Sequence, residues 1–386
     1  MLKIYFATRV RGFFRQLFNA ESISAKFEYD NSKVYETNSL VAKLKNKFGR
    51  SKIFDLLGII QVIKCRQSAD VYGSFNRFLD SDKPYFIYVE NPTALFHYRL
   101  GRNKSTLGKK KITKAINSPN LRALIFMSKA CYNTFESVCT TIPQSVIRKT
   151  IYPYIPINPL VNRNIIVEKS HKPELRLLYV AQGIRFISKG GLEIIDAFRK
   201  VRDLYDNISL IIITSIKDVE NKIIDEIKLI PGLELHDFKF SFKEMQQIYA
   251  DSNLMLQPTS DDSFGLTILE GIKSGLPIIG SRLYAIPEIV EDGINGYLCD
   301  PHYWFFDENN IPNPKIWNNR RNTIYSGNKS DKIINFLVNA ISKLNNNRDI
   351  LEQMSLASFE KANKAPFDQT YIIDQWNELI IELQNK

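Results

Sequence analysis

The sequence predicts an α/β fold with two doubly wound domains, and three observations point to it. The chain has 386 residues, about twice the length of a typical domain. Strand and helix patterns alternate across residues 175–280, as in βαβ units around a parallel sheet. The charge also divides the chain, because residues 1–160 hold 26 Lys+Arg and 10 Asp+Glu, whereas residues 161–386 hold 26 and 31.

The second half contains the more regular pattern. Its strand segments are short and apolar or β-branched, and its helix segments carry an apolar stripe. In chain order the predicted elements are 175–181, 191–204, 208–214, 219–229, 233–236, 242–250, 253–257, 266–273 and 277–280. After them, residues 300–329 form an insertion with its own structure. Three amphipathic helices are predicted to follow, at 331–344, 350–362 and 367–383.

The first half is less regular. Buried strands are predicted at 4–7, 85–89 and 124–127, and helices at 40–47 and 129–138. Four prolines are expected to keep residues 152–173 irregular, which marks a domain boundary. We therefore predict an N-terminal domain at 1–155, a linker at 156–174, a second domain at 175–362 and a final helical segment at 363–386.

Two basic stretches of the first half each have two interpretations. Arg9, Arg11 and Arg15 interleave with phenylalanines, which fits a phosphate or lipid-headgroup contact, or equally a helix with aromatic core residues and solvated arginines. Residues 101–114 carry six cations and no acid, which fits a solvated loop or a contact with anionic lipid or a diphosphate-linked carrier.

Several classes of protein are not favoured. Four scattered cysteines without a Cys-x-x-Cys spacing predict a reduced, cytoplasmic protein. The arginines that follow residues 1–8 argue against a secretory signal, and no uncharged apolar stretch approaches the ~18 residues of a membrane helix. The four histidines lie far apart, so neither a metal site nor a metal cofactor is predicted.

Residues 257–281 carry the most informative motif. A strand ends at Gln257, a polar loop follows, and a helix begins near Leu266. This places the free N–H groups of a helix N-terminus at the carboxyl edge of a parallel sheet, which suits a phosphate or diphosphate. Glu270 points back to the same crevice and is suited to the vicinal hydroxyls of a ribose, and Asp262 lies where a sugar beyond the phosphates would be.

Residues 178–191 form a second strand, loop and helix. The loop contains Gly183 and two cations, Arg185 and Lys189. Arginine offers phosphate a planar fork, and lysine offers a compact charge. With the first motif, this loop forms a candidate diphosphate clamp beside a hydroxyl acceptor.

Both motifs resemble the retaining GT-B glycosyltransferases of glycosyltransferase family 4. That family has Gly-Arg and Lys-Gly in the first loop, and later an acidic residue, a Phe-Gly pair and a Glu eight positions after the acid. The similarity is specific over residues 175–300. It is carried by Arg185, Lys189-Gly190, Asp262, Phe264-Gly265, Glu270, Ser274-Gly275-Leu276-Pro277 and Ile286-Pro287-Glu288-Ile289-Val290.

The resemblance implies two Rossmann-like domains facing a central cleft, with a nucleotide-sugar donor in the second and the acceptor in the first. Arg185 and Lys189 would bind the donor diphosphate, and Glu270 the ribose. The transferred sugar and phosphate would be held by Asp262, where the family usually has Glu, and by Ser263, Phe264, Gly265, Leu266 and Thr267. The final helix would cross back to the first domain.

The first domain offers fewer candidates. The family has a glycine-rich turn after its first strand, and here Gly12 remains to approach a ligand. Where the family has His at the end of a later strand, this chain has Glu90, which fits either a bond to donor or acceptor or a cap for the turn before Pro92.

We therefore expect a metal-independent hexosyltransferase that uses a nucleoside diphosphate sugar, with UDP favoured, and a glycan or lipid-linked acceptor in bacterial cell-surface synthesis. The basic first half predicts a peripheral position at an anionic membrane and no nucleic-acid partner. The alternatives are another GT-B enzyme, such as an epimerase or a phosphorylase, and a non-catalytic carbohydrate- or nucleic-acid-binding protein.

Overall fold

The computed structural model describes residues 1–30 and 52–385. The helix predicted at 40–47 lies outside the described residues. The strands are β1 Leu2–Phe6, β2 Ala25–Tyr29, β3 Val62–Lys64, β4 Val71–Phe75, β5 Phe78–Asp80, β6 Tyr85–Val89, β7 Leu121–Phe126, β8 Ile147–Thr150, β9 Leu175–Val180, β10 Ile208–Thr214, β11 Leu233–Asp237, β12 Leu254–Gln257, β13 Ile278–Ser281 and β14 Gly296–Cys299.

Helices connect most of these strands. The α-helices are Gly12–Phe18, Lys52–Leu56, Thr106–Ile116, Lys129–Val138, Arg163–Ser170, Gly191–Arg202, Asn221–Lys228, Phe242–Asp251, Leu266–Lys273, Ile286–Ile289, Pro314–Trp317, Asp331–Asn346, Arg348–Ala362 and Gln369–Gln384. Short 3-10 helices span Pro92–Phe96, Gly183–Arg185, Ile216–Asp218 and Arg320–Asn322. The chain divides into two compact units, one made of Met1–Tyr154 with Gln369–Lys386 and the other of Ile155–Asp368.

The unit Ile155–Asp368 is built on one parallel sheet of six strands in the order β11-β10-β9-β12-β13-β14. The chain runs outward from β9 on one side and outward from β12 on the other. Helices cover the sheet, and a continuous apolar core includes Leu177, Ile212 and Leu256 on the strands and Phe198 and Leu337 on the helices. In a doubly wound sheet of this order, the order in which the chain adds strands changes side between the two central strands, and ligands bind at that switch point.

The other unit contains a six-stranded parallel sheet in the order β2-β1-β4-β6-β7-β8 and a separate parallel pair, β3-β5. Its core is rich in aromatic rings. Phe14 stacks edge-on against Tyr88 at 5.1 Å, and the C-terminal helix places Trp376 at 6.0 Å from Tyr88. Both units are therefore α/β with parallel sheets, as the sequence predicts.

The structure decides between two interpretations of one stretch and corrects two expectations about local structure. Phe13 and Phe14 are buried core residues of the Gly12–Phe18 helix, which agrees with the second interpretation of that stretch. Residues 101–114 are not a solvated loop, because Ser105 caps a helix that begins at Thr106. The stretch 152–173 is not irregular throughout, because the Arg163–Ser170 helix fits between its prolines and starts from an Asn162 cap.

Among residues 1–30 and 52–385, no helix is both long enough and apolar enough to span a bilayer.

Candidate functional site

The candidate site lies at the switch point of the Ile155–Asp368 unit. Strands β9 and β12 are hydrogen-bonded neighbours, and both run in the same direction. The loops that follow them, 181–190 and 258–265, therefore leave the same edge of the sheet side by side. Each loop leads into a helix, Gly191–Arg202 or Leu266–Lys273.

An ion pair joins the two loops. Lys189 Nζ lies 2.6 Å from Asp262 Oδ2, and both side chains are nearly buried, with 11% and 13% exposed. The other carboxylate oxygen accepts hydrogen bonds from the amides of Phe264 (3.1 Å) and Gly265 (2.9 Å). Burial alone would raise the pKa of Asp262, but the Lys189 ammonium and these bonds outweigh burial and lower it.

The second cation of the first loop faces the neighbouring carboxylate. Arg185 Nη1 lies 3.8 Å from Asp261 Oδ2. The same oxygen accepts hydrogen bonds from Ser188 Oγ at 3.4 Å and from the Tyr325 hydroxyl at 3.2 Å. Tyr325 belongs to the insertion at 300–329, so this insertion supplies a hydrogen-bond donor to the site.

Glycines at three positions of the two loops meet a steric or backbone requirement, and one of them lets the loops approach each other. A Cβ on Gly190, whose φ is +82°, would lie 2.6 Å from the carbonyl oxygen of Pro258 in the opposite loop. A Cβ on Gly183 would lie 2.3 Å from the Ser215 carbonyl oxygen, so packing against the next strand's loop already requires glycine there. Gly265 has φ +93° at the start of the Leu266–Lys273 helix, a conformation that favours glycine.

Glu270 lies in the second turn of that helix. Its Oε2 accepts a hydrogen bond of 2.8 Å from the Tyr249 hydroxyl. Burial raises the pKa of Glu270, although this hydrogen bond opposes the rise. The first helical turn also leaves amides without intrahelical acceptors at Leu266 and Thr267. A carboxylate and these N–H groups therefore offer acceptors to hydroxyls and donors to an anion.

The two candidates of the other unit lie at the carboxyl edge of its sheet. Glu90 follows β6, and its carboxylate is hydrogen-bonded by the Tyr98 hydroxyl and lies 3.8 Å from Arg11 Nη2. Its backbone amide donates to Asn76 Oδ1 at 2.9 Å. Gly12 begins the helix after β1, and a Cβ there would meet no atom within 4 Å, so packing does not require glycine at this position.

A family model matches this part of the chain. Residues 162–304 match the family described as Glycosyl transferases group 1. That range contains both loops and the Leu266–Lys273 helix. The match covers less than half of the chain.

Curated relatives match over short segments. One is the N-acetyl-alpha-D-glucosaminyl L-malate synthase of Bacillus anthracis, 36% identical over 77 residues, or 19% of this chain and 20% of that protein. Another is an uncharacterised 41.2 kDa protein of the cps region of Klebsiella pneumoniae, 28% identical over 140 residues, or 36% of each chain. The chain thus spans only 20% to 36% of the length of these relatives.

Solved structures match over much longer ranges. Anabaena HepE in complex with UDP-glucose has a TM-score of 0.59 at 14% identity, over 99% of this chain and 100% of that one. The pneumococcal O-GlcNAc transferase GtfA, in complex with UDP and GlcNAc, has a TM-score of 0.57 at 16% identity, over 82% of this chain and 57% of that one. These similarities, together with the two parallel sheets, confirm the predicted GT-B class with two Rossmann-like domains.

The structure brings some of the predicted site residues together. Lys189 and Asp262 are in contact, and Arg185 faces the loop that holds Asp262. Gly183 lies in the same loop as Arg185 and Lys189. The remaining candidates of the second unit lie along the other loop and its helix, at Ser263, Phe264, Gly265, Leu266, Thr267 and Glu270. Gly12 and Glu90 belong to the other unit.

Sequence reasoning missed several partners. Ser188, Asp261 and Tyr325 join the Arg185 cluster, and Tyr249 joins Glu270. No sequence signal points to Tyr325 in particular, because it lies 64 positions from its partner inside an insertion. In the described ranges, no three His, Cys, Asp or Glu side chains converge in a metal-ligating arrangement.

Proposed function

We propose that this protein is a glycosyltransferase that moves a hexosyl-type sugar from a UDP-sugar to a hydroxyl of a glycan or lipid-linked acceptor. The observation that carries the proposal is the pairing of two cations and two carboxylates across the loops that flank the β9–β12 switch point. Cations and helix N-terminal amides at this place suit a diphosphate, and a buried carboxylate one turn further suits a ribose.

The roles follow from charge and position. Transfer to a hydroxyl releases a nucleoside diphosphate, so the main cost is the negative charge that develops on the leaving group. Arg185 and Lys189 would balance that charge, with the amides of Leu266 and Thr267 adding oriented dipoles. Glu270 would accept hydrogen bonds from the ribose, and Asp262 would release Lys189 and turn to the transferred sugar.

The choice of UDP-sugar has support from relatives of known structure. HepE was solved with UDP-glucose, and GtfA with UDP and GlcNAc. One matching protein of Klebsiella pneumoniae is encoded in a cps region. We therefore propose UDP as the donor nucleotide and bacterial cell-surface polysaccharide or glycolipid synthesis as the process, in the cytoplasm.

Donor turnover tests the proposal. The full-length protein is incubated with UDP-glucose, UDP-GlcNAc and GDP-mannose, and the release of the free nucleoside diphosphate is followed with and without a lipid-linked acceptor extract. We expect UDP release that depends on Lys189 and Glu270, and K189M and E270A variants that release none. Sugar phosphate formed from a glycan and added inorganic phosphate, with no UDP released, would identify a phosphorylase. A UDP-sugar epimerised at a ring carbon would identify an epimerase.

Retention of configuration is a separate part of the proposal. In the second unit's site, Asp262 and Glu270 each accept a hydrogen bond that fixes the carboxylate. The site therefore offers these two groups as acceptors for hydroxyls and not as a nucleophile paired with a base. Proton NMR of the first product decides it, because the anomeric coupling constant differs between α and β linkages. An inverted product would refute retention and leave the donor assignment standing.

A further inference from the structure

We infer that the surface formed by the Lys52–Leu56 helix, residues 57–58 and the Thr106–Ile116 helix docks on an anionic lipid bilayer. This inference rests on the proposed function and deepens it, because a lipid-linked acceptor is presented at such a bilayer. We call this surface the basic-apolar surface. It lies wholly in the unit Met1–Tyr154 with Gln369–Lys386.

The apolar part of this surface is open to solvent. The side chains of Ile53 and Leu56 are 66% and 68% exposed, and Leu57 and Leu107 are also exposed. Single exposed aliphatic residues are ordinary on protein surfaces, but here four lie on two adjoining elements.

The charged part of the surface is entirely basic. Exposed lysines lie at 104, 109, 110, 111 and 114, and residues 101–117 contain no Asp or Glu. Along the helix, Leu107, Lys110 and Lys114 share one face, opposite the buried Gly108 and Ile112. Leu107 therefore lies on the same face of this helix as two of the exposed lysines.

Buried contacts fix the two helices against each other. Asp55 is buried and pairs with Arg99 at 2.7 Å and with Arg102 at 3.2 Å, and Arg102 is only 1% exposed. Ser105 Oγ, which caps the basic helix, donates to the Asp55 carbonyl oxygen at 2.8 Å. The apolar ridge is thus held rigidly beside the lysines and is not the frayed end of a helix.

The backbones also touch. A Cβ on Gly58 would lie 2.2 Å from Gly108 Cα, so glycine at this position lets the segment after the first helix reach the second. Lys111 Nζ donates to the Leu57 carbonyl oxygen at 2.9 Å and closes the contact.

The chemistry of the surface favours a bilayer over other occupants. Lysines near an anionic leaflet each gain attraction, and aliphatic side chains between them can enter the interface below the headgroups. A nucleic-acid backbone would use the lysines but would leave the aliphatic ridge in water. A second copy of the chain would bring the lysines against lysines, which repel.

Vesicle flotation tests the inference without using the transferase reaction. The full-length protein is mixed with vesicles of neutral phosphatidylcholine, or with vesicles that contain 30% phosphatidylglycerol, in ~50 mM and ~500 mM salt. We expect binding to the anionic vesicles in low salt, and loss of most of that binding in high salt and on neutral vesicles.

Matched variants assign the binding to this surface. K109Q/K110Q/K114Q should weaken vesicle binding by roughly 100-fold, from about 5-fold per lysine. The control K222Q/K315Q/K332Q removes the same charge from exposed lysines of the other unit and should bind like the parent chain. Likewise I53S/L56S should weaken binding, whereas L204S/L229S, at two exposed leucines of the other unit, should not.

Specific outcomes overturn the inference. It fails if the parent chain ignores anionic vesicles in low salt, if both lysine triples lose binding equally, or if I53S/L56S instead dissolves a dimer seen by light scattering. Preferential binding of a nucleic-acid duplex by the same lysines would also overturn it. UDP release is measured in parallel, so a failure of docking with intact UDP release leaves the proposed function standing.

Discussion

Replacing Lys189 by methionine isolates the electrostatic core of the candidate site. Methionine keeps most of the length and the apolar stem of lysine but removes the ammonium that lies 2.6 Å from Asp262 Oδ2. The carboxylate would then remain nearly buried with only two amide donors, Phe264 and Gly265.

The size of the effect follows from burial. Removing one partner of a buried pair costs about 3–5 kcal/mol, because an uncompensated charge remains. The amides of Phe264 and Gly265 still hold Asp262. We therefore expect K189M to lower the free energy of unfolding by about 2–3 kcal/mol at neutral pH, at or below the lower end of that range. For a unit of this size each kcal/mol lowers Tm by about 2–4 °C, so Tm should fall by about 4–12 °C.

The stability loss in K189M should also depend on pH, because it depends on the charge of Asp262. In the parent chain the folded pKa of Asp262 is lowered, so its contribution to stability is present above the unfolded pKa of about 3.9 and is lost as the pH falls through the folded pKa. In K189M the ammonium no longer opposes burial, so the pKa of Asp262 rises relative to the parent chain. Protonation then relieves the buried charge, so the difference in Tm should be largest near pH 7.5 and should narrow toward pH 4.

Scanning calorimetry of the parent, K189M and a matched control measures this. The control is K222M, at an exposed lysine of the same unit, and should change Tm by less than about 1 °C. Adding D262N to K189M should recover much of the loss, because no buried charge then remains. If K189M melts within 1 °C of K222M at pH 7.5, the pair is screened by solvent and the reasoning from burial is wrong.

Three further predictions concern neighbouring groups. E270Q should weaken UDP binding by about 10-fold in titration calorimetry, because hydrogen bonds to a charged acceptor are the stronger ones. Since burial raises the folded pKa of Glu270, the free energy of unfolding of E270Q should equal or exceed that of the parent above about pH 4.5. G190A should lower Tm by several degrees, because its Cβ would meet the Pro258 carbonyl oxygen at 2.6 Å with φ at +82°, and an unchanged Tm would show that the loop relaxes freely. Y325F should weaken UDP binding about 3-fold with little change in Tm. The reason is that Asp261 loses a hydrogen bond that holds its carboxylate 3.8 Å from the Arg185 guanidinium. If Y325F and the parent chain bind UDP with equal affinity, this hydrogen bond has no effect on the site.

Much of the second unit could be predicted because its signals are local. The β-branched run of β10 and the Gly265 and Gly275 that flank the Leu266–Lys273 helix each determine an element by their own conformational preferences. The Thr106–Ile116 helix was missed for a physical reason. Its run of lysines resembles a solvated loop, and its stability comes from the Ser105 cap and from packing against a distant segment.

The site was predictable only in part, for the same reason. Lys189 and Asp262 belong to motifs that follow parallel strands, so topology alone brings their loops together. The partners Tyr325 and Tyr249 come from an insertion and from another helix, and their contacts depend on tertiary packing. At Gly183 the sequence does not distinguish packing from ligand binding, because the nearby Ser215 carbonyl oxygen already requires glycine at this position.

The charge balance of the site bears on how a diphosphate would bind. Two cations face two carboxylates, so the four side chains sum to zero and the unliganded loops do not attract an anion by net charge. Asp262 also occupies the amides of Phe264 and Gly265, which a phosphate could otherwise use. Under the proposed function, binding would exchange carboxylate acceptors for phosphate acceptors, and the net gain would come from the greater charge of the diphosphate and from the first-turn dipoles. Such an exchange would free Asp262 when the diphosphate is in place, and would couple recognition of the phosphates to the carboxylate proposed to contact the transferred sugar.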